Sequence, residues 1–276
     1  MIRGLTRAGI GHIASNEQFI VYAVQFGFQS VDLNPADLIR EVGMEKALHL
    51  LESNNIVLGS FDMPVDWRST EEAFLEGLPA LVEQAKAAKL LGGNKCCTYI
   101  LPSTDQDVAP FMIAATRRLR LCADILAAYG IRFGLEFVGS WHLREEWANP
   151  FIWTLDDTLA WIDTIQARNV GLLFDSYHWH TNGLGTEAIL KLKPEQIVHV
   201  HLNDAKNWAI SELMDGDRLY PGEGAIDLTG FLSSLGKIGY KDVVAQEVLS
   251  PLAAEQESTQ LLARSQAGFN KAFAGI

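Results

Sequence analysis

Apolar and polar positions alternate along this chain in two registers. Short runs that stay apolar on both faces read as buried parallel strands. Eight of them stand out: Leu5 to His12, Ser30 to Asn34, Val57 to Asp62, Asn94 to Leu101, Arg132 to Val138, Val170 to His178, Val198 to Asp204 and Val243 to Val248. Between them apolar residues recur at helical spacing, and these stretches have legible ends. Ser15-Asn-Glu, Asn34-Pro-Ala-Asp, Ser69-Thr-Glu-Glu, Asp105-Gln-Asp, Thr154-Leu-Asp-Asp and Asp227-Leu-Thr-Gly supply N-cap oxygens and early acidic residues. Phe26-Gly27, Leu91-Gly-Gly93, Tyr129-Gly130 and Ile238-Gly239 supply glycine where a helix closes in a left-handed turn. Eight strand–helix alternations predict an α/β fold, a single (β/α)8 TIM barrel over residues 1–276, and the length matches the roughly 250 residues of that fold.

Composition narrows the partners. The net charge of −12 opposes the phosphate attraction on which nucleic-acid binding depends, so no nucleic-acid partner is expected. No uninterrupted apolar stretch reaches the roughly 18 residues of a membrane span, and Met1-Ile-Arg-Gly-Leu-Thr-Arg does not resemble a signal peptide; a cytoplasmic protein without membrane contact is the expectation. The three cysteines are an odd number. Cys96 and Cys97 are neighbours on one strand, so they should face opposite ways as reduced, structural thiols. No linker or low-complexity tract divides the chain, and self-association is left open.

Four strand candidates end on metal-competent side chains: Glu136, Asp175, His201 and Glu247. In a parallel barrel the C-terminal strand ends meet at one mouth, so residues distant in sequence converge there. A lone glutamate at a strand end is more often a helix cap or half of an ion pair. Four such groups at four successive strand ends favour one divalent metal site. Three carboxylates and an imidazole suit Mn²⁺ first, with Mg²⁺, Co²⁺ or Zn²⁺ tolerated. His199, two positions before His201, points to the same face but deeper, as a buried supporting histidine. Long connections, from Gly139 to about Trp153 and from Ala205 to about Ile226, are expected to cover the mouth. Six of the seven tryptophans follow strands, where indoles could face a ring substrate or simply pack loops. Pro221-Gly-Glu-Gly224 is not a phosphate loop, since no lysine follows in the required spacing.

The segments Leu135-Glu-Phe-Val-Gly139, Val170-Gly-Leu-Leu-Phe-Asp-Ser-Tyr-His-Trp-His180, Asp217-Arg-Leu-Tyr-Pro-Gly-Glu-Gly-Ala-Ile-Asp-Leu228 and Asp242-Val-Val-Ala-Gln-Glu-Val248 resemble the xylose isomerase-like superfamily of sugar isomerases and epimerases. Within it they are most similar to bacterial inosose isomerases. The resemblance covers residues 130 to 250; before that only barrel topology is shared. It implies that Glu136, Asp175, His201 and Glu247 are metal ligands and that His178 and Arg218 contact substrate oxygens. It also implies a small polyhydroxy ketone as substrate, its carbonyl moved or a carbinol inverted through a cis-enediolate without nicotinamide. Two flanking carboxylates can serve as acid and base, which assigns Glu136 and Glu247 to proton transfer. Trp141 and Trp208 are the expected wall for a cyclic substrate.

The sequence departs from the pattern in places. Ketohexose 3-epimerases carry a second glutamate shortly after the first ligand, whereas Val138-Gly-Ser-Trp-His142 has none. Compared with inosose isomerases the loop through Arg144-Glu-Glu-Trp-Ala-Asn-Pro150 is longer, and Ser250 stands where arginine is expected. A ketose 3-epimerase or a 3-dehydroshikimate-type dehydratase are the alternatives. An endonuclease IV-like phosphodiesterase needs extra histidines after strands two and three, where Asp32-Leu-Asn-Pro35 and Phe61-Asp-Met-Pro64 stand instead. The remaining alternative, a non-catalytic binding barrel, is disfavoured by four intact ligands.

Overall fold

The computed structural model of the protein describes residues 1–276 apart from Leu252, Ala254, Glu255 and Gly275. Its barrel strands, labelled in chain order, are β1 (Ile2–Leu5), β2 (Ser30–Val31), β3 (Val57–Leu58, resuming at Phe61–Asp62), β4 (Lys95–Ile100), β5 (Arg132–Phe137), β6 (Val170–Asp175), β7 (Ile197–Leu202) and β8 (Val243–Gln246). All pair in parallel. One edge of the sheet is Val57–Leu58 on β2 and the other is Phe61–Asp62 on β4. These edges are two pieces of one run, so β3 closes the sheet on itself through Gly59-Ser60. The result is a TIM barrel with no free edge.

Most element boundaries follow local chemistry. Ser15, Thr70, Thr154 and Asp227 each accept a backbone N–H three residues on, at helices Asn16–Gln25, Glu71–Leu90, Leu155–Ile165 and Leu228–Lys237. Each such cap is worth about 1 kcal/mol. Gly130 and Gly239 adopt φ of 74° and 92°, the left-handed turn that ends their helices.

Several strand expectations need correction: the second strand is only Ser30–Val31 rather than Ser30 to Asn34, and the third is broken between Leu58 and Phe61. The first strand is Ile2–Leu5, not Leu5 to His12, because its register is set by β8 and Gly9 and Gly11 turn the following chain with positive φ. Strand β6 stops at Asp175 rather than His178. The Asp175 carboxylate accepts the backbone N–H groups of Tyr177 and His178 and so starts the short helix Ser176–Thr181.

The long loops also differ from expectation. The first folds into a short helix, Trp141–Arg144, and a strand, Asn149–Pro150, that pairs antiparallel with Ser103–Thr104. The second carries a 3-10 turn at Ile210–Glu212 and is tied to the first where Ser140 Oγ donates to Asp215 Oδ1 at 3.1 Å. They pack against one another on the β5–β7 side; neither lines the cavity at the mouth.

Candidate metal centre

Glu136, Asp175, His201 and Glu247 meet at the C-terminal mouth, each offering a donor atom within 4.8 Å of the others. Register explains the convergence: His201 lies beside Asp175 of β6 and Ala245 of β8, and Glu247 is the second residue beyond. His201 Nδ1 faces both glutamates, 3.4 Å from Glu247 Oε2 and 3.9 Å from Glu136 Oε1. Asp175 is wholly buried, and Glu136 and His201 nearly so.

Electrostatics divides the two glutamates. Burial, then the charges of Glu247 and Asp175, raise the Glu136 carboxyl well above the usual range. Burial would also raise Glu247, but His201 and Arg218 outweigh it and hold that carboxylate low. Burial opposes the charged form of His201, yet Glu247, Asp32 and Glu136 together raise its pKa well above the ordinary histidine value.

The donor set fits a divalent cation. Glu136 Oε1 and His201 Nδ1 are buried polar atoms with no hydrogen-bond partner among the described residues, and they point at one another. Two such groups facing each other in a buried setting are costly unless a proton or a cation lies between them. Asp175 is differently placed. Its Oδ2 accepts from Asn203 Nδ2 at 2.9 Å and Arg218 Nη1 at 3.2 Å while Oδ1 caps the helix, which fixes its orientation.

Arg218 forms the wall behind the acids. Its Nη1 donates to Glu247 Oε2 at 2.8 Å and its Nη2 to Asp215 Oδ1 at 2.9 Å. His178 is buried beneath it: Nδ1 accepts the Gly139 N–H at 3.2 Å, and Nε2 lies 3.3 Å from Arg218 Nη2. Burial lowers the His178 pKa and favours the neutral ring. Neither Arg218 nor His178 lines the cavity. Trp141 and Trp208 also stand outside it. Trp141 packs against Arg144, 5.0 Å from its centroid, and Trp208 against Lys206 at 4.4 Å.

A cavity of about 800 Å³ opens instead over Glu136, His201 and Glu247 toward the ends of β1–β4. Its chemistry comes from Asp32, Asn34, Asp62, Arg68 and Tyr99. Tyr99 is the register partner of Glu136 and is 48% exposed, so an aromatic face is available beside the acid. Arg68 stacks between Trp67 and Tyr99, 4.3 Å and 4.1 Å from the ring centroids. Burial, then Asp32 and Glu247, push the Asp62 carboxyl up. The sequence reading missed these residues; the signal available was that Asp32, Asp62 and Tyr99 also stand at strand ends. Cys97 lines this cavity while Cys96 packs in the core, each a buried free thiol, with burial first among the causes raising both.

A family model described as xylose isomerase-like TIM barrel matches residues 20–266, and the chain belongs to that family. Inosose isomerase of Bacillus subtilis is 36% identical over 129 residues, which is 47% of this chain and 44% of that protein. The aligned stretch therefore spans less than half of that relative. Over whole chains, a xylose isomerase domain protein from Alicyclobacillus acidocaldarius is 30% identical with a TM-score of 0.90, covering 99% of this chain and 98% of that one. The IolI protein, solved with a zinc atom, shares the fold at a TM-score of 0.83 and 22% identity, covering 99% of this chain and 98% of that one. Among the described residues no helix is long and apolar enough to cross a membrane.

Proposed function

We propose that this protein is a divalent-metal-dependent isomerase or epimerase of a small polyhydroxy ketone, with a cyclic inosose as the preferred kind of substrate. The observation that carries the reading is the meeting of Glu136, Asp175, His201 and Glu247 at the barrel mouth, the two glutamates and the histidine lining the cavity, with Glu136 Oε1 and His201 Nδ1 unpartnered among the described residues. These four residues would hold the metal. When bound, a divalent ion supplies Lewis-acid polarisation of the carbonyl and its neighbouring hydroxyl.

The chain's own residues do the rest. Moving a carbonyl along a polyol, or inverting a carbinol beside one, requires a weakly acidic C–H proton to leave and a proton to return at another carbon or face. Glu136 and Glu247 both line the cavity and both face His201 Nδ1, which makes them the two carboxylates available to take the proton and to deliver it. Arg218 fixes Glu247 by a charge-assisted hydrogen bond and keeps its carboxylate ionised. Tyr99 offers the C–H face of a ring an aromatic surface, while Asp62 and Asn34 are placed to bond hydroxyls. The similarity to a relative named inosose isomerase supports the cyclic substrate.

The test is turnover in deuterated water with added divalent ion and no nicotinamide, comparing an inosose with fructose, tagatose and psicose. The expected result is deuterium entering the carbon skeleton, fastest with the inosose. Faster exchange with a ketohexose moves the assignment to an epimerase, and release of water to give an unsaturated product moves it to a dehydratase. No exchange with any ketone at saturating metal overturns the reading.

A further inference from the structure

Beside the candidate ligands lies a second group of side chains, Asp32 and His199, which meets the first at His201. Asp32 Oδ2 is 2.7 Å from His199 Nε2 and 3.4 Å from His201 Nε2. The carboxylate is fixed from the other side by Ser60, whose backbone N–H donates to Oδ1 at 3.0 Å and whose hydroxyl donates to Oδ2 at 3.1 Å. It rests directly over Gly59: a Cβ built there would stand 1.9 Å from Asp32 Oδ1. The same Gly59-Ser60 pair interrupts β3, so the break in that strand makes the seat for Asp32.

From this arrangement we propose that Asp32 is a positioning residue for the metal centre: it holds the proton of His201 on Nε2 and thereby makes Nδ1 the metal donor. An imidazole has one nitrogen to give to a metal, and the partner of the other nitrogen selects which. Nε2 points at Asp32, whereas Nδ1 points at the two glutamates that share the candidate metal site, so a ring that gives Nδ1 to a cation carries its one proton on Nε2, where Asp32 accepts it. Nδ1 faces Glu136 and Glu247 with no hydrogen-bond partner among the described residues. His199 donates to the same oxygen from a wholly buried position, which helps to keep Asp32 from turning into the cavity.

The three donors could alternatively take a second ion. The geometry favours hydrogen bonds, because 2.7 Å between His199 Nε2 and Asp32 Oδ2 is the length of a short charge-assisted N–H···O bond.

The proposal rests on the metal reading above, and its test keeps the two separable. Nitrogen-15 NMR of histidine-labelled full-length protein reads the protonated nitrogen of His201, both with Zn²⁺ bound and metal-free at alkaline pH where the ring is neutral. The expected signal is Nε2–H in both states. Asp32→Asn should weaken Zn²⁺ binding by roughly 10–100-fold in calorimetry, the range for losing such a partner, and should mix the tautomers. Gly59→Ala keeps the carboxylate but displaces it, and should weaken binding in the same direction. A proton on Nδ1 in the wild-type ring, unchanged affinity in both folded variants, or two ions per chain would overturn the proposal. If neither variant folds, the wild-type tautomer decides. Absence of any metal binding by the wild type contradicts the proposed function, while the alkaline tautomer measurement still tests the role of Asp32.

Discussion

Beyond strands β5 to β8 the charged side chains at the barrel mouth largely bind one another, whereas beyond β1 to β4 they border an open cavity. On the first side Arg218 alone bridges Asp175, Asp215 and Glu247, with His178 packed beneath it. On the second, Asp62 and Tyr99 face space, and Asp62 has no ion-pair partner among the described residues. The comparison separates two tasks that strand ends can perform. One half holds its acids in place through a shared arginine; the other leaves polar and aromatic groups facing open space.

The sharpest way to break the self-neutralised half is to remove its cation. Arg218→Met leaves three carboxylates without their shared partner in a buried setting. A loss of about 3–5 kcal/mol is expected, the usual cost of stranding one side of a buried ion pair. Urea unfolding at neutral pH measures it; a change below 1 kcal/mol would mean that solvent or rearrangement already compensates these acids.

A smaller free-energy effect, but a direct one on chemistry, is expected at the glutamates. Glu247→Gln and Glu136→Gln should each lower turnover by roughly 10² or more with the fold retained, as for other positioned proton-transfer groups. Near wild-type turnover in both at saturating metal would remove the two-carboxylate mechanism.

The open half predicts the smallest effects and the most specific ones. Tyr99→Ala should reduce kcat/KM for a cyclic ketone by roughly 10-fold, in line with an aromatic contact of 0.5–1.5 kcal/mol. Trp141→Ala and Trp208→Ala should change it by less than about two-fold, because each indole packs against a cation outside the cavity. The reverse ranking would return the substrate wall to the long loops.

How much of this was legible in the sequence follows the same division. Buried parallel strands announce themselves as apolar runs, so the barrel could be read, and Glu136, Asp175, His201 and Glu247 stood out as charges closing such runs. Strand β2 is only Ser30–Val31 and β3 is broken by Gly59-Ser60, so Asp32 and Asp62 followed runs too short to mark them as site residues. Tyr99 read as an ordinary strand aromatic. Trp141 and Trp208 drew attention because indoles in loops often bind rings, but a sequence does not show that Arg144 and Lys206 would lie against them. His178 and Arg218 stand at the same end of the barrel as the three acids and the histidine of the candidate site; their packing behind the acids depends on the fold of the loop that carries Asp215, which the sequence does not show.

The central claim is that the four strand-end ligands form one metal site, and calorimetric titration of the metal-free protein with Mn²⁺ in buffers of different ionisation enthalpy tests it most directly. Glu136 and His201 both have raised pKa values from their surroundings, so both tend to hold protons that a cation must displace. The account predicts one ion per chain, proton release on binding, an affinity that rises with pH until both groups are deprotonated, and loss of the site in His201→Ala. No binding, or one ion bound equally well by wild type and His201→Ala with no proton released, would contradict it.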